Sequence, residues 1–114
     1  MKRIGMTWQV RPEHWAAYKD IHLNPWPALL DAIRAVGIHN YSIFAFPDAP
    51  AGGGTRVFAY MEIDGDDVLA AFNTLAQTEI KKKWDVEVTA WVLPEAVAGS
   101  GVQFMPLEPI FFCA

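Results

Sequence analysis

The stretch KRIGMTWQVRPE, residues 2–13, decides how the rest of the chain is read. Ile4, Met6, Trp8 and Val10 alternate with Arg3, Gly5, Thr7 and Gln9. A period of two belongs to a strand with one buried face. At Arg11-Pro12-Glu13 the pattern changes. Proline fits the first turn of a helix, and an acid there faces the positive end of the dipole. A strand feeding a helix opens an α/β or α+β domain, and the following segments decide which. The helix is expected to run to about His22, where Asn24-Pro25-Trp26-Pro27 interrupts it. Asn24 is expected to cap a second helical segment that has Pro25 as its first residue. Leu29, Leu30, Ile33 and Val36 give that segment an apolar stripe, and Gly37 suits its C-terminal end.

Ile38 to Phe46 reads as a second strand and Arg56 to Asp64 as a third. Between them, Pro47-Asp48-Ala49-Pro50-Ala51-Gly52-Gly53-Gly54-Thr55 has the chemistry of a hairpin loop. Val68, Phe72 and Leu75 predict a helix from Asp66, with Asp66 and Asp67 at its start. Thr78-Glu79 predicts the cap of another, carrying Ile80, Trp84, Val88 and Trp91 along one side. Val86, Val88, Ala90 and Val92 also fit a strand; helix is the reading adopted. Pro94 to Pro106 is expected as a loop, and Ile110-Phe111-Phe112 as a closing strand. The sum is a single domain over residues 1–114 of class α+β, a ferredoxin-like β-α-β-β-α-β subunit. Helices cover one face of such a sheet. The other is left open and aromatic-rich, so a homodimer packed through it is expected.

Composition narrows the function. A chain of 114 residues holds one core, and 53% hydrophobic residues make it globular. A net charge of −4 argues against nucleic acid as a partner. Cys113 is the single cysteine, so neither an internal disulfide nor a cysteine zinc site is expected. Lys2 and Arg3 lead into a strand pattern rather than a signal peptide, and no apolar run is long enough to span a membrane. A soluble cytoplasmic protein that binds neither nucleic acid nor membrane is the expectation.

His14, Tyr18, His22 and Trp26 recur every four residues, one row on a helix. On spacing alone, core packing is the stronger reading of that row. Two details favour function at His22. It precedes a proline break, and it stands at a helix C-terminal end, where carbonyl dipoles favour the imidazolium form that can donate a proton. His39-Asn40-Tyr41 places three polar tips at the start of a strand, either reaching a ligand's hydroxyls or making ordinary strand-end bonds. No His-Glu-x-x-His or comparable motif exists, so no metal site is expected. Gly52-Gly53-Gly54 is not followed by Lys-Ser/Thr and is no phosphate loop, while Lys81-Lys82-Lys83 reads as a solvated helix face.

Val10-x-Pro12, Tyr18-x-x-x-His22, Asn24, Trp26-Pro27 and Gly37-x-His39-Asn40-Tyr41 together resemble the L-rhamnose mutarotase family, and Met61-Glu62-Ile63 and Trp84 fit its later pattern. The resemblance covers most of the chain and is densest over residues 10–41. It implies a dimeric α+β barrel and interconversion of the α and β anomers of a 6-deoxyhexose, L-rhamnose or L-fucose, without cofactor or metal. It places the proton donor on His22 and sugar contacts on Tyr18, Tyr41 and Trp84, with Trp26 and His39 as further candidate contacts. Where the family has paired tryptophans, this chain reads Lys83-Trp84. Lys83 either enters the pocket, favouring L-fucose through its three donors, or points to solvent with Lys81 and Lys82. Its tail also departs from the family, reading Leu107-Glu108-Pro109-Ile110-Phe111-Phe112. Anomer exchange needs a proton to reach the ring oxygen while one leaves the anomeric hydroxyl, a task suited to histidine near neutrality. Two other readings share the fold: a cofactor-independent monooxygenase, and a non-catalytic small-molecule-binding dimer.

Overall fold

The computed structural model describes residues 1–46, 55–94 and 105–114. Its central strand β1, Lys2–Val10, is the alternating stretch of the N-terminus. β3, Thr55–Ile63, lies antiparallel to it from Lys2 opposite Ile63 to Val10 opposite Thr55. β2, Ile38–Ala45, pairs with the far side of β3. The other edge of β1 carries β4, Val92–Leu93, at Gln9 and Val10, and β5, Met105–Pro106, at Met6 and Thr7. The order β2-β3-β1-β4 is that of the ferredoxin-like α+β unit.

Four helices lie between the strands: α1, Trp15–Leu23; α2, Pro27–Ala35; α3, Val68–Ala76; and α4, Glu79–Val88. The sheet alternation decides which side they cover. Trp8, Val10, Val57, Ala59, Met61 and Ile63 turn inward and are buried. Around them one cluster joins Tyr18, Leu29, Trp84, Val88 and Val92, and a second joins Ile38, Met61, Ile63 and Leu75. The intervening residues face the open side, where Phe44, Phe46 and Phe58 are exposed.

Several boundaries differ from the sequence reading. The second helix begins at Pro27 rather than Pro25. Trp26 is held extended (φ −66°, ψ 124°), as a residue before proline must be, and it takes the N-cap position. Asn24 instead ends α1, donating its side-chain amide to the Asp20 carbonyl and carboxylate at 3.3 Å. Pro12–His14 forms a 3-10 turn ahead of α1. Asp67 caps α3 by accepting from the Ala70 amide at 2.9 Å, and Thr78 caps α4 by accepting from Lys81 at 3.3 Å.

α4 stops at Val88, so Trp91 is not on it; Thr89–Trp91 is a 3-10 turn, and Val92 enters the sheet fully buried. The Arg11 amide donates to the Trp91 carbonyl at 2.7 Å and locks that junction. The last strand of the ferredoxin-like unit is therefore Val92–Leu93, and Ile110-Phe111-Phe112 forms no strand. The outer edge of β1 is already paired by β4 and β5, which leaves Ile110 and Phe111 89% and 86% exposed. The Arg3 guanidinium lies 3.1 Å from the Phe112 ring centre. The 47–54 loop, with its three glycines, and residues 95–104 of the expected 94–106 loop lie outside the described residues. Among the described residues no helix is long and apolar enough to cross a membrane.

Candidate active site

Between the helix-covered face of the sheet and α1, α2 and α4 lies a cavity of about 840 Å³. Its aromatic wall comes from Trp8 on β1, Trp15 and Tyr18 on α1, Tyr41 on β2 and Trp84 on α4. Lys19, His22, Arg34, His39, Lys81 and Asp85 add charged and titratable groups to its lining.

His22 is one turn beyond Tyr18, and its geometry follows from the end of α1. The Tyr18 carbonyl lies 2.7 Å from Nδ1. A carbonyl can only accept, so Nδ1 carries the proton and Nε2 is the nitrogen left for the cavity. The Tyr18 ring stacks on the imidazole with centres 4.1 Å apart, and Trp84 meets it at 5.2 Å and 75°. The ring is thus clamped on two sides. Burial lowers the pKa of His22 from 6.5, and the carbonyl bond offsets this only in part. The helix-end carbonyl expected to favour imidazolium is present, but desolvation outweighs it, and His22 rests neutral at pH 7.

Tyr18 is buried, and its hydroxyl accepts from Trp8 Nε1 at 2.7 Å. Burial raises its pKa far above the usual tyrosine value, with a smaller push from Tyr41. Both tyrosines line the cavity. Tyr41 owes its inward aim to an irregularity in β2. His39 pairs opposite Glu62 and Ser42 opposite Tyr60, so Asn40 and Tyr41 together face the single residue Met61. Such a bulge re-aims side chains, and Asn40 takes the left-handed φ of 48° that an asparagine tolerates. Asn40 then donates outward to Glu62 at 2.7 Å. Tyr41 is partly exposed and lines the cavity. Burial and the neighbouring Asp85 carboxylate push its pKa up to about 12. Both tyrosines are therefore neutral donors at physiological pH.

The remaining candidates separate. Trp84 lines the cavity and is buried. Trp26 is not among the lining residues; it packs edge-on against Trp84 at 5.2 Å and 89°, bracing that ring because the proline break swings it aside. His39 borders the cavity rim, but its Nε2 is bonded to the Asp64 carboxylate at 2.7 Å. Of the two placements expected for Lys83, the structure has the solvent-facing one. It is exposed and off the cavity wall, because it falls on the solvent side of α4. Lys81, read as solvated with its neighbours, instead faces inward and pairs with Asp85. His14 stacks on Trp91 at 6.0 Å, away from the cavity. Sequence reasoning missed Asp85, Lys81, Trp8 and Trp15 as wall residues. The i, i+3, i+4, i+7 spacing of Lys81, Trp84, Asp85 and Val88 was the available signal. Among the described residues no three His, Cys, Asp or Glu side chains gather closely enough to hold a metal ion.

A family model described as L-rhamnose mutarotase matches residues 3–113. An L-rhamnose mutarotase of Tolumonas auensis is 38% identical over 84 residues, 74% of this chain and 73% of that protein. The crystal structure of an L-rhamnose mutarotase from Formosa agariphila superposes with a TM-score of 0.70 at 26% identity, covering 100% of both chains. Tetracenomycin F2 cyclase of Streptomyces glaucescens, a type-II polyketide cyclase, superposes at 0.60 with 18% identity over 100% of this chain and 98% of its own; that likeness shows the fold alone.

Proposed function

The chain belongs to the L-rhamnose mutarotase family, and from that premise we propose that it interconverts the α and β anomers of L-rhamnose, with His22 carrying the proton in transit. The observation that carries this reading is the clamped imidazole, which presents Nε2 to an aromatic cavity beside two neutral phenols.

In the forward direction, neutral His22 takes the proton of the anomeric hydroxyl at Nε2. The C1–O1 bond gains carbonyl character, the C1–O5 bond breaks, and O5 takes the proton from His22 Nε2, which returns to neutral. The open chain turns about C1–C2, and the reverse steps close the ring on the other face. Nδ1 is committed to the Tyr18 carbonyl, so one nitrogen both accepts and returns the proton. Trp84 and Tyr18 offer faces to the apolar side of the sugar, and the Tyr41 hydroxyl donates to one of its oxygens. L-fucose is the comparison substrate. A preference for it was expected from Lys83 in the pocket, and that residue faces solvent.

We also propose a homodimer through the open face of the sheet. Phe44, Phe46 and Phe58 form an apolar patch there, and a second copy of the same face is its natural cover. The monooxygenase and binding-module readings share this fold, and the named relatives weigh toward the mutarotase. The test is anomer exchange spectroscopy by NMR with L-rhamnose and L-fucose. Accelerated exchange of L-rhamnose supports the reading; buffer-rate exchange of both sugars overturns it.

A further inference from the structure

Lys81 and Asp85 form an ion pair one turn apart on α4, at the wall of the same cavity as His22 and Trp84. Their side chains are only 26% and 39% exposed. Two observations separate this pair from ordinary helix-surface pairing. Its polarity is the unfavourable one for a helix, with the cation toward the N-terminus and the acid toward the C-terminus. The Glu79–Lys82 pair on the same helix runs in the favourable sense, at 3.5 Å, and is far more exposed. The helix thus gains little from Lys81–Asp85, yet holds it on the one face that meets the cavity. The second observation is placement. Lys81 and Asp85 line the same cavity as Tyr41, His22 and Trp84, so both charges face the space where a bound molecule would sit. Lys81 and Tyr41 also border an adjoining apolar chamber of about 270 Å³, beside Phe72 and Leu75. Lys81 therefore stands at the junction of an aromatic floor and an apolar annex.

We propose that Lys81 and Asp85 read the hydroxyl stereochemistry of the sugar. The Asp85 carboxylate accepts from one ring hydroxyl, and the Lys81 ammonium donates to an adjacent one. A carboxylate offers acceptors only and an ammonium donors only, so together they fix how two neighbouring hydroxyls are turned over the Trp84 ring. A sugar lacking one of them leaves a partly buried charge with only its ion-pair partner. Such a site rejects the analogue, by about tenfold to a hundredfold for a bond to a charged group. The proposal rests on the reading of the cavity as a sugar site, and it assigns specificity rather than proton transfer to the pair.

The experiment is a substrate–enzyme cycle. Wild type, Asp85→Asn and Lys81→Met are compared on L-rhamnose and its 2-, 3- and 4-deoxy analogues, with Lys83→Met as a surface control. Exchange rates come from NMR, and sugar affinities from calorimetry on the same samples. Thermal melts confirm that each variant is folded. Wild type and the control should lose about tenfold or more on at least one analogue relative to L-rhamnose. Asp85→Asn should shrink that loss to within about twofold, and Lys81→Met should do so for an adjacent position. A purely structural pair would alter all sugars equally and leave the ratios alone. Unchanged ratios in both folded variants, with exchange intact, overturn the proposal and leave the mutarotase reading standing. Shifted affinity ratios without exchange in the wild type support the proposal and remove that reading. A wild type that neither binds nor exchanges any of the sugars removes both.

Discussion

Replacing His22 by Gln keeps a side chain of similar reach with an amide donor for the Tyr18 carbonyl, and removes the ability to change protonation together with the ring contacts. In the wild type Nδ1 is pinned at 2.7 Å, and the ring is held between Tyr18 at 4.1 Å and Trp84 at 5.2 Å. A positioned acid–base group of this kind is worth about 10²–10⁴ in rate. At about 1.4 kcal/mol per tenfold, His22→Gln should raise the barrier by roughly 3–5 kcal/mol. The pH profile gives an independent reading. Burial holds the folded pKa below 6.5, and neutral His22 is the starting form. The wild-type rate should therefore fall on acidification with an apparent pKa below 6.5, and the variant should lack that limb. Stability follows the same sign. Between the lowered folded pKa and 6.5 the unfolded chain holds more protons than the folded one, so stability rises with pH there and is lost on acidification. The variant should be free of that contribution. The assay is NMR exchange of L-rhamnose from pH 5 to 8, with melts at each pH. A folded variant that exchanges at the wild-type rate, or that keeps the acid limb, refutes the role given to His22.

Other outcomes follow from single residues. Gly37 has φ of +83°, and an added Cβ would lie 3.2 Å from Asp64 Cβ, so Gly37→Ala should lose about 1–2 kcal/mol and roughly 4–12 °C in Tm; an unchanged melt contradicts this. Tyr41→Phe should raise the KM for L-rhamnose about two- to tenfold by removing one neutral donor, with Tm within a few degrees of wild type; an unchanged KM removes Tyr41 from the sugar contacts. Phe58→Glu places a charge in the exposed aromatic patch of the sheet and should yield a folded monomer by analytical ultracentrifugation; a dimer of undiminished affinity counts against that interface.

The sequence made the fold legible where periodicity was strong. The alternation of Ile4, Met6, Trp8 and Val10 and the stripe of Leu29, Leu30 and Ile33 both landed on elements that bury those residues against the sheet or cavity. The failures came where two local signals competed. At residues 86–92 helix and strand patterns overlap, and the structure uses both in turn. The unpaired edge of β1 captures Val92–Leu93, which only tertiary pairing could decide. Ile110-Phe111-Phe112 has strand composition, but beside it the outer edge of β1 is taken at Met6, Thr7, Gln9 and Val10 by β5 and β4, and it stays exposed. At the site, the four-residue spacing put Tyr18 and His22 in one helical row, and in the structure the two rings stack. Tyr41 reaches the cavity through a bulge that no alternation pattern encodes, with Asn40 the only hint. Treating Lys81-Lys82-Lys83 as one unit hid the helical phase, which sends Lys81 inward and Lys83 outward.

Anomer exchange can be measured on the unmodified protein. Magnetisation transfer between the α and β anomeric proton signals of L-rhamnose reports the interconversion without coupling enzymes. Micromolar protein should accelerate this transfer well above the buffer rate, in proportion to enzyme concentration, and His22→Gln should abolish most of the gain. Transfer that stays at the buffer rate with folded wild-type protein would contradict the mutarotase reading.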